Sequence, residues 1–399
     1  MANAIATNDK LINIAAFATA ETPVLDKLKN DLSNDYASGD GATVRVEVVS
    51  YPVITDGATS TAEDLNIKDV DVTLGMWNTK MALGAMEKAL DIESYDRQIG
   101  KPTGVSIASF INKKVIAKAL ATAEHATVST GTFAQLGDLH AKIRDTKFGD
   151  DMFAFGSSYF LNTVRNSGIN LFGQSLGERL YKGDIGNYDM VDYYASSDMP
   201  ALVISNLPVA GTSKVTTAVT ANGATEIIID GLVSATGIVK KGTIFGITGV
   251  NSVNLLGEDT GNQRAFIVTQ DSAAAVGSVA TVKVAPIYFK AGSGKSDPRQ
   301  NVSTTTIAQN ALINWVPQAA GTYAYAVVID PKVMVYAAKP LPKYEEQGNA
   351  SESMMAGSVS IRLGKFSDSA NGGQMYRFDG LFGVETVLGK GLGVTMFKI

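Results

Sequence analysis

The chain has 399 residues, 45% of them hydrophobic and 18% charged. That allows two or three domains with real cores, and a formal net charge of −5 argues against the broad basic face that duplex nucleic acid needs. There is no cysteine, which excludes disulfides, thiolate catalysis and Cys-ligated metals, and His125 and His140 are the only imidazoles. Met1 to Thr22 has no cationic head, and Asp9 and Lys10 interrupt its apolar stretch, so neither a signal peptide nor a membrane span is expected.

Taken in order, Asn8 to Leu32 reads as a helical arm, broken where Pro23 removes a backbone donor. Past Gly39-Asp40-Gly41 the period becomes two. Val44, Val46 and Val48 alternate with Arg45, Glu47 and Val49, and Val70, Val72 and Leu74 alternate with Asp69, Asp71 and Thr73 beyond a polar stretch from Tyr51 to Lys68. This pattern predicts a long two-stranded ribbon, which is marginally stable by itself and must lean on something else. Met81 to Tyr95 reads as a short helix. Lys101 to Glu124 carries the best helix, with Ile107, Ile111, Val115 and Ala119 recurring every four residues and Val105, Ile116 and Leu120 widening the stripe. Further helices are expected near Leu136 to Thr146 and Tyr159 to Ser167, with strands at Met152 to Ala154 and Pro200 to Leu207.

From about Pro208 to Ile287 the chain is almost all Gly, Ala, Thr, Val, Ile, Ser and Asn. Ile227 and Ile229 alternate with Ile228 and Asp230, and Val282 and Val284 with Thr281 and Lys283. Turn signals stand at Asn222-Gly223, Lys241-Gly242, Gly257-Glu258 and Gly277-Ser278, the spacing of a small all-β unit. An all-β block inside a mixed chain reads as an inserted domain. Gly292 to Asn310 then reads as a polar loop. Strands are expected at Ala324 to Ile329, Val333 to Ala338, Gly357 to Ile361 and Leu381 to Leu388.

No residue set carries chemistry. Gly292-Ser293-Gly294-Lys295-Ser296 lacks the first glycine of a phosphate loop, where Phe289 stands, and Asp297-Pro298 follows instead of a helix. Gly389-Lys390-Gly391-Leu392-Gly393 has no βαβ unit after it and reads as a Gly-rich hairpin turn. Asp150-Asp151 and Glu345-Glu346 read as solvated pairs. His125 is expected at a helix end, favourably meeting the dipole, and His140 beside Lys142 has no second ligand at metal spacing. Catalytic, cofactor-binding and metal residues are therefore all expected to be absent.

At Gly156-Ser157-Ser158-Tyr159-Phe160-Leu161-Asn162, and again at Leu176-Gly177-Glu178-Arg179-Leu180-Tyr181-Lys182-Gly183, the chain resembles the coat proteins of short-tailed bacteriophages that carry an insertion domain. The resemblance implies an α+β phage major capsid protein of the Hong Kong phage capsid fold, with an inserted all-β, barrel-like domain. It implies an N-terminal arm (1–40), an extended β-ribbon loop (41–77), a peripheral domain with a spine helix (78–131) and an axial domain (132–207). The inserted barrel (208–287) follows, and then a return to axial and peripheral domains (288–399). The family's long charged insertion loop is not matched, because from Thr212 to Thr225 only Lys214 is charged.

What the resemblance implies for function is a virion shell of pentamers and hexamers around packaged double-stranded DNA, without sequence-specific binding. It also implies assembly in the host bacterial cytoplasm with a scaffolding protein and a portal as partners, and no membrane. A cellular encapsulin-like nanocompartment shell is the alternative. The expected subunit interface is the apolar ribbon face: Val44, Val46, Val48, Val70, Val72 and Leu74.

Overall fold

The computed structural model describes residues 24–28, 30–32, 43–52, 56, 66–83, 100–128, 131–168, 187–199, 201–204, 209–291, 297–316, 320–343, 351–356, 359–368 and 373–399. After a single 3-10 turn at Leu25–Lys27 come strands β1 (Asn30–Asp31), β2 (Thr43–Val49), β3 (Ile67–Thr73) and β4 (Gly75–Leu83). Helix α1 (Lys101–Thr122) leads into β5 (His125–Val128), α2 (Phe133–Asp145), β6 (Phe153–Gly156) and α3 (Ser158–Gly168). Then follow β7 (Asn187–Tyr188), β8 (Val191–Ala195), β9 (Leu202–Ile204), β10 (Val209–Val215), β11 (Ala224–Leu232), β12 (Ile244–Val253), β13 (Asp259–Ile267) and β14 (Ala280–Ile287). The chain closes with β15 (Ile313–Trp315), β16 (Gly321–Ile329), β17 (Met334–Lys339), β18 (Ser351–Ala356), β19 (Val359–Asp368), β20 (Gly373–Thr386) and β21 (Leu392–Lys398). The fold is α+β.

Two compact units emerge. The first takes residues 1–46, 71–115 and 334–385, and the second takes 47–70, 116–333 and 386–399. The first unit holds a sheet of order β1-β17-β20-β19-β18, with β4 also pairing β20. Ile361, Leu363, Phe378 and Phe382 are buried in it. Asn30–Asp31 join this sheet parallel to β17, so the expected arm helix does not reach Leu32. Met81–Leu83 belong to β4, paired with Gln374–Tyr376, rather than to a helix. Residues 84–95 of that expected helix, and the arm before 24, lie outside the described residues.

The second unit has two cores. A sheet of order β5-β21-β16-β6-β8-β7 runs through β16, which also pairs β9. Tyr323 to Ile329 of β16 are all buried, the near-continuous apolar run of a strand covered on both faces. Leu136, Leu139 and Ile143 of α2 and Phe160 and Val164 of α3 pack with Ala324, Ala326 and Val328. Helix α3 starts where Ser157 Oγ accepts the Phe160 N–H over 3.3 Å, the capping expected of a serine there.

The β-rich block forms two three-stranded sheets, β10-β11-β14 and β13-β12-β15. Bridges Lys214–Leu312 and Gln270–Lys283 join them on both sides into a six-stranded barrel. Ile227, Ile229, Phe245, Ile247, Phe266, Val282 and Val284 fill it. Glycines 223, 242, 257 and 277 all have positive φ, so each predicted turn needs the residue it has. The barrel does not stop at Ile287. Its sixth strand is β15, and Val302, Ile307 and Ile313 are part of its core. The stretch expected as a polar loop is thus, from Asp297 onward, a plug with Asp297, Gln300, Asn301 and Val302 buried, while Gly292 to Ser296 lie outside the described residues.

Two further expectations are corrected. Gly389–Gly393 is no hairpin turn, since β20 and β21 belong to different sheets. Val105 does not join the buried stripe of α1 but stands 55% exposed, while Ile107, Ile111, Val115, Ile116, Ala119 and Leu120 are buried.

Candidate functional site

The ribbon comes first, because the expected interface residues lie on it. β2 and β3 pair as a separate two-stranded sheet. The Arg45–Asp71 ion pair (3.5 Å) and the Ser50 N–H donated to Asn66 O (3.0 Å) set one register, with Val44 opposite Val72 and Val46 opposite Val70. Val44, Val48, Val72 and Leu74 are buried within the single chain, and Val46 and Val70 are half-buried. Most of the valine face is therefore already used. What stays open is the other face: charged Arg45, Glu47, Asp69 and Asp71, and beyond them exposed Val49, Tyr51 and Ile67. Trp77, placed at the ribbon's end, belongs to β4 opposite Gly380.

A buried charge cluster escaped the sequence reading. Glu124, directly after α1, is fully buried; its Oε1 accepts the Gly391 N–H (2.8 Å), and its Oε2 lies 3.6 Å from Arg264 Nη1. The Glu124 N–H donates to Leu392 O, and its carbonyl accepts the Ala265 N–H. Arg264, from β13, donates through Nη1 to the carbonyls of Asn301 (2.9 Å) and Gly389 (3.1 Å). Lys390, 1% exposed, donates to Asn254 O (3.0 Å). The end of α1, barrel strand β13, the plug and the turn before β21 are thus fastened at one point. Burial pushes the Glu124 carboxyl up to about 7 against the pull of Arg264, Gly391 and Lys390. Burial lowers Lys390 to about 8. Its only sequence signal was a lysine set among glycines.

His125 is expected at a helix end, meeting its dipole. Instead it opens β5, 2% exposed, and burial together with Arg264 and Lys142 lowers it to about 3, so it is neutral at ordinary pH. Desolvation outweighs the modest dipole attraction. His140 is also buried. Its Nδ1 lies 3.1 Å from Asp189 Oδ2 and its Nε2 2.7 Å from Tyr193 Oη. Arg144 holds the other side of Asp189 at 3.0 Å. The geometry fits an Nδ1–H donated to the carboxylate and a Tyr193 hydroxyl donated to Nε2. Tyr193 is buried, and that burial raises its hydroxyl above the ordinary tyrosine range. The network pins the β7–β8 turn, whose Asp189 and Met190 both have positive φ.

In the first unit, Asp379, fully buried, accepts Arg362 Nε (2.8 Å) and Nη2 (2.9 Å), while Arg377 Nε approaches at 2.9 Å. Arg362 Nη1 also donates to Pro342 O. Among the described residues no group of three or more His, Asp or Glu side chains is placed to hold a metal ion, and no helix is long and apolar enough to cross a membrane. Asp150 is exposed, and Glu345-Glu346 lie outside the described residues, as does the motif at Leu176 to Gly183. The Glu124 and His140 clusters each join segments far apart in sequence.

Comparison with known proteins finds a family similar to the C-terminal part of the chain. Residues 206–398, which contain the barrel and strands β16 to β21, match the family model described as "P22 coat protein - gene protein 5". No curated protein matches the chain. Among solved structures, one titled "Mycobacterium phage Che8" is similar with a TM-score of 0.47 at 10% identity, covering 94% of this chain and 91% of that one. The mature capsid of bacteriophage PhiM1 gives 0.43 at 9% identity, covering 90% and 83%. A virus-like particle from Pyrococcus furiosus gives 0.41 at 9% identity, covering 97% and 98%. Likenesses at this level support no residue-by-residue correspondence. Over residues 206–398, just under half of its length, the chain is thus similar to the P22 coat-protein family, and its described residues have an α+β architecture.

Proposed function

We propose that the protein builds an icosahedral shell of pentamers and hexamers around packaged double-stranded DNA, inside a bacterial host and with a scaffolding protein and portal. The observation that carries this reading is the coat-protein match over 206–398, the part of the chain that holds the barrel and the C-terminal strands. It is favoured over a nanocompartment shell because that same stretch includes the barrel. The acidic balance of the chain fits a lining that does not grip DNA too firmly to release it.

The ribbon is the proposed contact to a neighbouring copy, now through its open face. Val49 and Ile67, 42% and 48% exposed, offer apolar area beside the acidic Glu47, Asp69 and Asp71. Helix α1 exposes Val105 and Phe110 beside Lys101 and Lys113. Opposite charges flanking apolar centres are what a specific contact between two copies needs.

Negative-stain imaging of the purified protein, with its scaffolding protein supplied, tests the shell. Closed particles are expected, and a chain that stays monomeric at high concentration overturns the reading. Val49→Asp with Ile67→Asp is expected to leave the monomer folded and stop assembly. Val72→Asp is the wrong probe, since its side chain is fully buried and a charge there unfolds the ribbon itself.

A further inference from the structure

A residue from the barrel plug hydrogen-bonds the ribbon directly. Arg299 Nη1 donates to the main-chain carbonyl of Asp69 in β3 over 3.1 Å. The same guanidinium is held from behind: Nε and Nη2 donate to Asp297 Oδ1 (3.0 Å) and Oδ2 (2.8 Å), and its plane lies 4.5 Å over the Tyr288 ring. Asp297 is buried and also accepts the Arg299 backbone N–H (2.9 Å). Tyr288 is fixed in turn, because its N–H donates to Asn301 Oδ1 and its carbonyl accepts the Asn301 N–H.

We propose that Arg299 is a positioning latch through which the barrel sets the direction in which the ribbon leaves the protein, and so how it is offered to a neighbouring copy. The physical case is pre-organisation. A free arginine loses considerable side-chain entropy on ordering, but this one is already ordered by a bidentate carboxylate and a ring face, so its remaining donor is aimed before the ribbon arrives. A two-stranded ribbon has no rigidity of its own to choose a direction. Because the acceptor is a backbone carbonyl, the latch reads the ribbon's position first, and the Asp69 carboxylate adds only a weaker charge attraction.

The link from ribbon direction to assembly rests on the shell reading above; the latch itself does not, and the experiment separates them. Hydrogen exchange of the full-length unassembled chain is followed in peptides covering 43–49 and 67–73, for the wild type, Arg299→Ala, Arg299→Lys and Asp69→Asn. Exchange on the order of ten-fold faster in those peptides is expected for Arg299→Ala. Arg299→Lys, which keeps charge but loses the bidentate, stacked geometry, is expected to fall between, and Asp69→Asn to stay close to the wild type. Should Arg299→Ala fail to fold, Asp297→Asn, which frees the guanidinium from behind, is expected to speed the same peptides. Unchanged ribbon exchange in folded Arg299→Ala or in Asp297→Asn overturns the latch, as does equal acceleration across the barrel. With the latch in place, particles of mixed size or open sheets are expected from Arg299→Lys where the wild type closes. Uniform wild-type particles from it overturn the link to assembly, whereas a wild type that never assembles removes only the shell reading.

Discussion

Gly391 donates its backbone N–H to Glu124 Oε1 across 2.8 Å, although the two residues are 267 positions apart. Gly391 holds a φ of 73°, a conformation that costs a residue with a Cβ about 1 kcal/mol. A Cβ there would also press on Val333 and Phe148. Gly391→Ala is expected to destabilise the chain by about 2 kcal/mol, read as a lower urea midpoint with unchanged slope.

The same cluster makes a signed prediction with pH. Glu124 is raised by burial to about 7, so between pH 4.5 and 7 the folded chain keeps a proton the unfolded chain loses, and this group's contribution falls as pH rises. His125 is lowered by burial to about 3, so between pH 6.5 and 3 only the unfolded chain takes the proton, and its contribution falls as pH drops. The two oppose each other from 4.5 to 6.5. His125→Gln should remove the acid-side loss and leave Glu124 unmatched. Relative to wild type, its urea midpoint should then improve steadily from pH 6.5 to 4. A constant difference across that range would show that His125 is not buried neutral.

Lys390 adds the alkaline arm. Burial lowers it to about 8, so between 8 and 10.5 the unfolded chain holds a proton the folded one has released, and stability from this group rises with pH there. Lys390→Met, which keeps the buried stem without the charge, should flatten that rise. Thermal midpoints at pH 8 and 10 for both proteins decide it.

Asp379 is fully buried between two arginines, and Arg362 meets it with two hydrogen bonds. Arg362→Met removes both and strands the Pro342 carbonyl as well. A loss of about 3 kcal/mol is expected, limited because Arg377 Nε remains 2.9 Å away. Gly380, next along β20, has no room for a side chain, since a Cβ would overlap the Ser360 carbonyl and the Trp77 ring. Gly380→Ala should therefore be severely destabilising. Gly211→Ala, with open space around it, should instead gain about 0.5 kcal/mol. Denaturant midpoints for the pair give the comparison.

The barrel should fold by itself only if its sixth strand is included. A fragment of residues 208–316 carries β15 and core residues Val302, Ile307 and Ile313, whereas 208–287 lacks them and leaves the edge of β12 unpaired. Strand-type circular dichroism with dispersed amide proton shifts is expected from the longer fragment and disorder or aggregation from the shorter. Equal folding of both would show that the plug is dispensable.

What the sequence determined by itself were the features written in local chemistry. The four-residue recurrence of Ile107, Ile111, Val115 and Ala119 built α1, the alternation at Ile227 and Ile229 built a barrel strand, and each turn glycine took positive φ. Those signals survive because one face of an element either meets a core or does not. Tertiary structure alone decided that Met81–Leu83 pair with β20 as a strand, and that the valine face of the ribbon is largely consumed inside its own chain. It alone brought Glu124, Arg264 and Lys390 together, from positions in three separate stretches of the chain. A charged residue in a sequence reads as solvated by default. Only the packing of distant segments can remove its water, supply a partner, and turn it into a joint that holds the fold.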